Sequence, residues 1–310
     1  MKALVFGATG QDGSYLSELL LSKEYEVVGT CRPKSGAQPS LLFPVICCDI
    51  TDASAVSALV ESVKPDEIYN LAAQSHVGTS FALPAYTSQV TGLGAQNVLE
   101  AFRKHAPKAR FYQASSSEMF GNAPAPQDEN TPFNPVSPYG VAKLFAHNTA
   151  RNYRWAYGLH VSCGILFNHE SPRRGEQFVT RKICKGLARI KAGKQGKLVL
   201  GNLNAKRDWG YAPEYVAAMW RMLQMDSPGD YVIGTGVSHS VGTFLEYCLD
   251  AASLSECLVL TCAGEERPTE IGELRADASW SAVRLGWEAK TFVPDIARIM
   301  MEAELKAVGL

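Results

Sequence analysis

The 310-residue chain has no C-x-x-C pair among its eight cysteines, no surplus of charge of either sign and no long apolar run. Each absence removes a class of function. Without paired cysteine spacing nothing points to a zinc ribbon or a thioredoxin-type centre, and no metal site is expected. The cysteines, at 31, 47, 48, 163, 184, 248, 257 and 262, sit mostly in apolar stretches, as small core side chains of a reducing compartment do. Thirty basic residues against 31 acidic ones leave a formal net charge of −1, which provides no field for holding nucleic acid or an anionic membrane. The first apolar run, residues 3–6, ends at Gly7 and is too short for a signal-peptide core or a membrane span, so a cytoplasmic protein is expected.

What is there is an ordinary core-forming balance, 46% hydrophobic and 20% charged, in a chain long enough for one α/β domain and a smaller companion. Short apolar runs at 3–6, 26–29, 45–48, 67–71, 110–114 and 161–167 alternate with helix-length amphipathic stretches. That rhythm predicts βαβ units and a doubly wound parallel sheet of Rossmann type, with ligands beyond the strand carboxyl ends. Adjacent Cys47 and Cys48 are expected to point to opposite faces of a strand. After residue 167 the pattern loosens into loop, with helices expected at 178–192, 213–224, 241–252 and 293–307, and short strand-like runs at 198–200 and 231–233. The expected division is a dinucleotide-binding domain over 1–167 and a mixed α/β, mainly substrate-binding region over 168–310, sharing one cleft.

The motifs fall at the predicted strand ends. Gly7, Gly10 and Gly13 follow the first strand in the spacing G-x-x-G-x-x-G, which suits a turn whose helix N-terminus meets a pyrophosphate. The second strand ends in Thr30-Cys31-Arg32-Pro33-Lys34, with no carboxylate to hold an unmodified ribose and a guanidinium to accept a 2′-phosphate. NADP is therefore expected over NAD, with Arg32 as the reader. Asp49, at the third strand end, suits either the adenine amino group or a turn.

Ser137-Pro138 reads as an N-cap followed by proline at the first helical position, which puts Tyr139 and Lys143 one turn apart on one face. The lysine and an oxidised, positively charged nicotinamide are both expected to lower the tyrosine's pKa toward that of a usable base. Alternation along an extended Ser115-Ser116-Ser117-Glu118 places Ser116 and Glu118 on one side. Tyr139 with Lys143 suffices to oxidise a secondary alcohol. Glu118 is surplus to that step, and a carboxylate beside a new ketone can remove the adjacent proton, so the set reads as oxidation followed by elimination. A turn-capping glutamate is the plain alternative. His169, Arg173, Arg174, Lys182, Arg207 and Arg267 are candidate phosphate clamps, and His169 suits a core histidine equally well.

Carrying these residues, the chain resembles the GDP-mannose 4,6-dehydratases of the extended short-chain dehydrogenase/reductase superfamily. The specific stretches are 7–15, 69–75, 137–143, 164–175, 178–182 and 201–210. The resemblance implies catalysis by Glu118, Tyr139 and Lys143, with Ser116 where the family has threonine. It implies NADP contacts from Gly7, Thr9, Gly10, Gln11, Asp12, Gly13, Arg32, Asp49, Ile50, Leu71, Ala72, Ala73, Ser75, Tyr86, Tyr139, Lys143, His169 and Arg174. GDP-sugar contacts are implied for Ser75, Ser116, Asn168, Val179, Lys182, Gly201, Arg207, Arg267 and Glu270.

Two departures stand out. The stretch from Arg32 to Cys47 is short and contains Pro33, Pro39 and Pro44, where the family has consecutive arginines and a longer serine-rich loop that helps build a tetramer. A homodimer is therefore expected, with a homotetramer as the alternative. Gly272 stands where the family tends to have aspartate. The reading is an NADP-dependent conversion of GDP-D-mannose to its 4-keto-6-deoxy product. The alternatives are dehydration of another GDP-sugar such as a GDP-manno-heptose, a reductase or epimerase on the same scaffold, and a non-catalytic NADP sensor.

Overall fold

The computed structural model describes residues 1–32, 42–255, 259–261 and 268–310. Strands β1 (Lys2–Phe6), β2 (Glu26–Cys31), β3 (Val45–Cys47), β4 (Glu67–Asn70), β5 (Arg110–Ser116) and β6 (Val161–Leu166) appear where the apolar runs predict them. Between them lie helices α1 (Gln11–Ser22), α2 (Ala53–Val63), α3 (Val77–Ala82), α4 (Pro84–Thr87), α5 (Gly94–His105) and α6 (Pro138–Tyr157). Beyond them come β7 (Asn168–Glu170), α7 (Val179–Lys191), β8 (Leu198–Leu200), β9 (Lys206–Tyr211), α8 (Ala212–Gln224), β10 (Asp230–Ile233) and β11 (Ser238–Ser240). The chain closes with α9 (Val241–Ala252), β12 (Val259–Thr261), β13 (Glu273–Leu274), α10 (Ser279–Leu285) and α11 (Val293–Val308). The four helices expected after residue 167 are found to within one residue at each end.

The main sheet runs β10-β6-β5-β4-β1-β2-β3, and every neighbouring pair is parallel. Parallel strands need crossovers, so helices cover both faces and the central strands β1, β4 and β6 are almost wholly buried. In β1, Leu4 and Phe6 point into one core with Val56 of α2 and Leu99 of α5, while Ala3 and Val5 point into another with Leu16 of α1 and Met219 of α8. Phe6 pairs with Thr30 on one side and Asn70 on the other, so the strand order reverses direction at β1. A crevice opens at that switch point, and Gly7 sits at its floor.

The segment after Phe167 is more ordered than the expected loop. Strand β7 pairs with β9 in parallel, and β9 also pairs with antiparallel β11 and parallel β13. Helices α7, α9 and α11 bury Ile183, Phe244 and Met300 against Trp209 of β9. The chain also returns: β10 completes the main sheet beside β6, with Asp230 opposite Cys163, so residues 212–233 pack with the first layer although they follow residue 167. Cys47 is exposed and Cys48 buried, but β3 ends at Cys47, so the expected pair of strand residues is a strand end and the first residue beyond it.

Candidate active site

The glycine turn is built by sterics. Gly7 adopts φ +82°, a backbone region that side chains disfavour, and a Cβ on Gly13 would stand 2.2 Å from the Gly7 carbonyl oxygen. Glycine at both places lets α1 begin directly against β1. Its N-cap, Gly10, has no side chain with which to satisfy the first-turn N–H groups, which leaves them for an anion. These features fit the pyrophosphate of a dinucleotide.

All described residues named above as cofactor or substrate contacts line one cleft of about 970 Å³ along the strand carboxyl ends. Arg267 lies outside the described residues. Arg32 is exposed just past β2 and its guanidinium hydrogen-bonds the Tyr86 hydroxyl. Asp49 uses Oδ1 to accept from the Thr51 N–H at 2.9 Å and hydroxyl at 2.8 Å, which is the turn role. Arg207 is buried, donates to the Ile271 carbonyl at 2.9 Å and pairs with Glu270 at 2.8 Å. A guanidinium so engaged holds one fixed orientation at the cleft wall.

Ser137 caps α6 by accepting from the Gly140 N–H at 3.0 Å, with Pro138 in the first turn. Tyr139 and Lys143 are thereby buried side by side, the ammonium 5.8 Å from the ring centre. The Lys143 Nζ donates to the Ala114 carbonyl at 2.7 Å. Burial lowers the lysine's pKa to about 8, against which the Asp12 charge acts. Burial also pushes the Tyr139 phenol well up, opposed by a hydrogen bond to Ser116, with the Glu118 charge pushing upward and the Arg174 charge downward. This runs against the expected lowering. In the protein alone the low-polarity surroundings outweigh the cations, and the phenol is neutral.

The Ser115–Glu118 segment differs from the extended form expected. Strand β5 ends at Ser116 and the chain turns into a short 3₁₀ helix, Ser117–Met119. The turn still brings Ser116 and Glu118 into the same cleft by another route: the Ser116 Oγ accepts from the Glu118 N–H at 3.2 Å and its hydroxyl meets Tyr139. The Ser115 hydroxyl pairs with His147 Nδ1 at 2.9 Å. Glu118 is buried, and its backbone oxygen lies 2.7 Å from where a Cβ on Gly140 would be. Glycine at 140 thus seats the glutamate turn against the tyrosine helix.

Sequence reasoning missed other wall residues. His76 caps α3 by accepting from the Thr79 N–H and stands edge-on to Phe178 at 5.5 Å, while the Arg174 guanidinium lies 3.7 Å over the other ring. These residues are separated by about a hundred positions in the chain, and no local spacing marks them. His147, Cys163 and Asp230 also lie close enough to share an ion, away from the cleft. There the Asp230 carboxylate is already engaged by Arg151 at 3.2 Å and Arg154 at 2.5 Å.

A glycine turn at the switch point, a tyrosine–lysine helix and a serine at the end of β5 define an extended short-chain dehydrogenase/reductase type of nucleotide enzyme. Solved structures share the fold: UDP-glucose 4-epimerase of Thermus thermophilus in complex with NAD has a TM-score of 0.88 at 23% identity, covering 98% of this chain and 99% of that one. RMD from Pseudomonas aeruginosa complexed with NADPH has a TM-score of 0.83 at 22% identity, covering 99% and 98%. The chain belongs to the GDP-mannose 4,6-dehydratase family, whose model matches residues 4–300. GDP-mannose 4,6 dehydratase 1 of Arabidopsis thaliana is 47% identical over 98% of this chain and 90% of its own length. The GDP-mannose 4,6-dehydratase of Sinorhizobium fredii is 45% identical over 98% and 96%. Among the described residues no helix is long and apolar enough to cross a membrane.

Proposed function

We propose that the protein dehydrates GDP-D-mannose to GDP-4-keto-6-deoxy-D-mannose, with NADP as the cofactor that returns unchanged. The observation that carries the mechanism is a buried carboxylate, Glu118, in the same cleft as Tyr139, Ser116 and Lys143. When bound, the cofactor supplies the hydride acceptor for C4 and the donor for C6. Tyr139 takes the O4 proton, with Lys143 beside it to stabilise the phenolate. A ketone at C4 acidifies the C5 proton, which Glu118 removes, and Ser116 or Glu118 delivers a proton to the departing 6-hydroxyl. Hydride delivery to C6 is then matched by a proton returned to C5, balanced by the one Tyr139 took from O4. Ser116 replaces a family threonine and keeps the hydroxyl, which already contacts both partners.

Arg32, exposed where β2 ends and with no carboxylate beside it, supports NADP over NAD. Asn168, Val179, Lys182, Gly201, Arg207 and Glu270, on the second wall, are proposed to hold the GDP-sugar. The division of labour is residues 1–167 for the cofactor and mainly 168–310 for the substrate. The assembly is proposed to be a homodimer.

The test is turnover with a panel of nucleotide sugars in heavy water, read by mass spectrometry. Wild type should take GDP-mannose to a product that has lost one water and gained one solvent deuterium at C5. Glu118→Gln keeps the size and loses the basicity, so it should bind cofactor normally while product formation falls by about 10³-fold or more. Near-wild-type release of the 4-keto-6-deoxy product by Glu118→Gln would make the carboxylate a turn cap. A product retaining its 6-hydroxyl, or net consumption of reduced cofactor, would point to an epimerase or reductase.

A further inference from the structure

The glycine-loop helix carries an acidic residue where an anion is to bind. Asp12 lies in the first turn of α1, and a carboxylate there repels a pyrophosphate unless another charge cancels it. The structure supplies that charge from 157 residues away. The Asp12 Oδ2 lies 2.8 Å from the Nε2 of His169, which is buried in β7. The other ring nitrogen, Nδ1, lies 2.7 Å from the Phe167 carbonyl oxygen.

A carbonyl has no proton to give, and the Asp12 carboxyl is ionised, with its pKa lowered to about 2. Burial opposes ionisation there, and the His169 charge and hydrogen bonds outweigh it. Both ring nitrogens of His169 must therefore donate. Only the imidazolium has two N–H groups. The groups facing this ring are Asp12 from α1, Arg174 and Glu170 from β7 and the turn after it, and Tyr215 from α8, stacked at 4.6 Å. Arg174 and burial oppose the positive charge, Asp12 favours it, and the balance raises the histidine's pKa.

The same contact is reinforced by the neighbouring residue. The Gln11 Nε2 donates to the His169 carbonyl at 3.0 Å, and its Oε1 accepts from the Ser171 hydroxyl at 2.8 Å. Two consecutive residues of α1 thus make three contacts with two residues of the second wall. We propose that Asp12 is a positioning residue whose carboxylate keeps His169 doubly protonated and so latches the glycine-loop helix to β7, fixing the width of the cofactor end of the cleft. His169 then acts on the cofactor through its charge and through the latch, because both of its N–H groups are already taken.

The inference rests on the dinucleotide reading of the cleft for its binding readout and on the chain alone for its spectroscopic one. Nitrogen-15 NMR of the histidine-labelled full chain, with His169→Gln used to assign the signal, should show an imidazolium at about neutral pH. A neutral His169 ring in the wild type overturns the proposal, whatever the cofactor does. The second arm titrates NADP into wild type and Asp12→Asn. A neutral histidine has one N–H for two acceptors, and without the Asp12 charge burial and Arg174 keep the ring neutral, so the variant should bind about tenfold more weakly at about neutral pH and give a neutral His169 nitrogen-15 signal there. Wild-type affinity should decline as pH rises through the raised pKa of His169. An unchanged affinity in Asp12→Asn, or an imidazolium signal that persists in it at about neutral pH, overturns the latch. If Asp12→Asn does not fold, the wild-type NMR decides. If wild type does not bind NADP while the imidazolium is seen, the cofactor assignment fails and the latch stands.

Discussion

At the scale of single residues, the site is a set of charges withdrawn from water and balanced locally. Lys143 keeps its charge below about pH 8 because Asp12 offsets part of the burial penalty, and Tyr139 stays protonated because nothing in the protein alone offsets enough of its own. Arg32 is the contrasting case. It is exposed and hydrogen-bonds the Tyr86 hydroxyl, so its value lies in the partner it meets. Arg32→Ala should weaken NADP by about ten- to a hundredfold, the usual range of roughly 1.5–3 kcal/mol for a hydrogen bond to a charged group, and leave NAD within about twofold. Calorimetric titration of both cofactors checks this, and equal losses would show that Arg32 does not read the 2′-phosphate.

At the scale of elements, placement is decided by close backbone approaches. The Ser116–Glu118 turn and the start of α6 come from chain segments about twenty residues apart, and they meet where Gly140 has no side chain. Gly140→Ala should gain helix propensity, worth up to about 1 kcal/mol, and yet push the Glu118 backbone away from Tyr139. A misplacement of even about 1 Å costs up to about a hundredfold in rate, so kcat should fall by at least about tenfold while NADP affinity holds. Steady-state kinetics beside a cofactor titration separates the two. Unchanged kcat would mean that the glutamate turn adjusts freely.

The same scale shows what the sequence made legible. Apolar runs and caps are local signals, so β1 to β6, the Ser137 cap and the late helices could be read from them. Strand β7 could not: three residues, Asn168-His169-Glu170, have no periodicity, and their order comes from pairing with β9 about forty residues later. The Ser115–Glu118 run was misread as extended because its turn is fixed by the Ser116 side chain bonding its own backbone. Asp12 was read as a cofactor contact from its motif. Its partner, His169, lies across the chain, and only the fold brings the pair within 2.8 Å.

At the scale of the molecule, α6 has two working faces. Tyr139 and Lys143 point inward, while Val141, Phe145 and Trp155 are 53%, 44% and 66% exposed, at spacings that place them along the opposite side. The π-helical turn Ser88–Leu93 lies alongside, with Leu93 52% exposed and Gly92 close against the Phe145 ring. Large apolar side chains gathered on neighbouring exposed elements mark a surface for association. A two-fold contact through this face would pair it with its own copy, and a stable dimer needs about 1,200–2,000 Å² in total, which two long helices and their flanks can supply. Light scattering at micromolar protein should give twice the chain mass, and Phe145→Glu should shift it toward the monomer, because a charge at the centre of such a contact is desolvated without a partner. A wild-type monomer would remove the interface. A tetramer persisting on dilution without cofactor would mean that a second contact, beyond the α6 face, holds the assembly together.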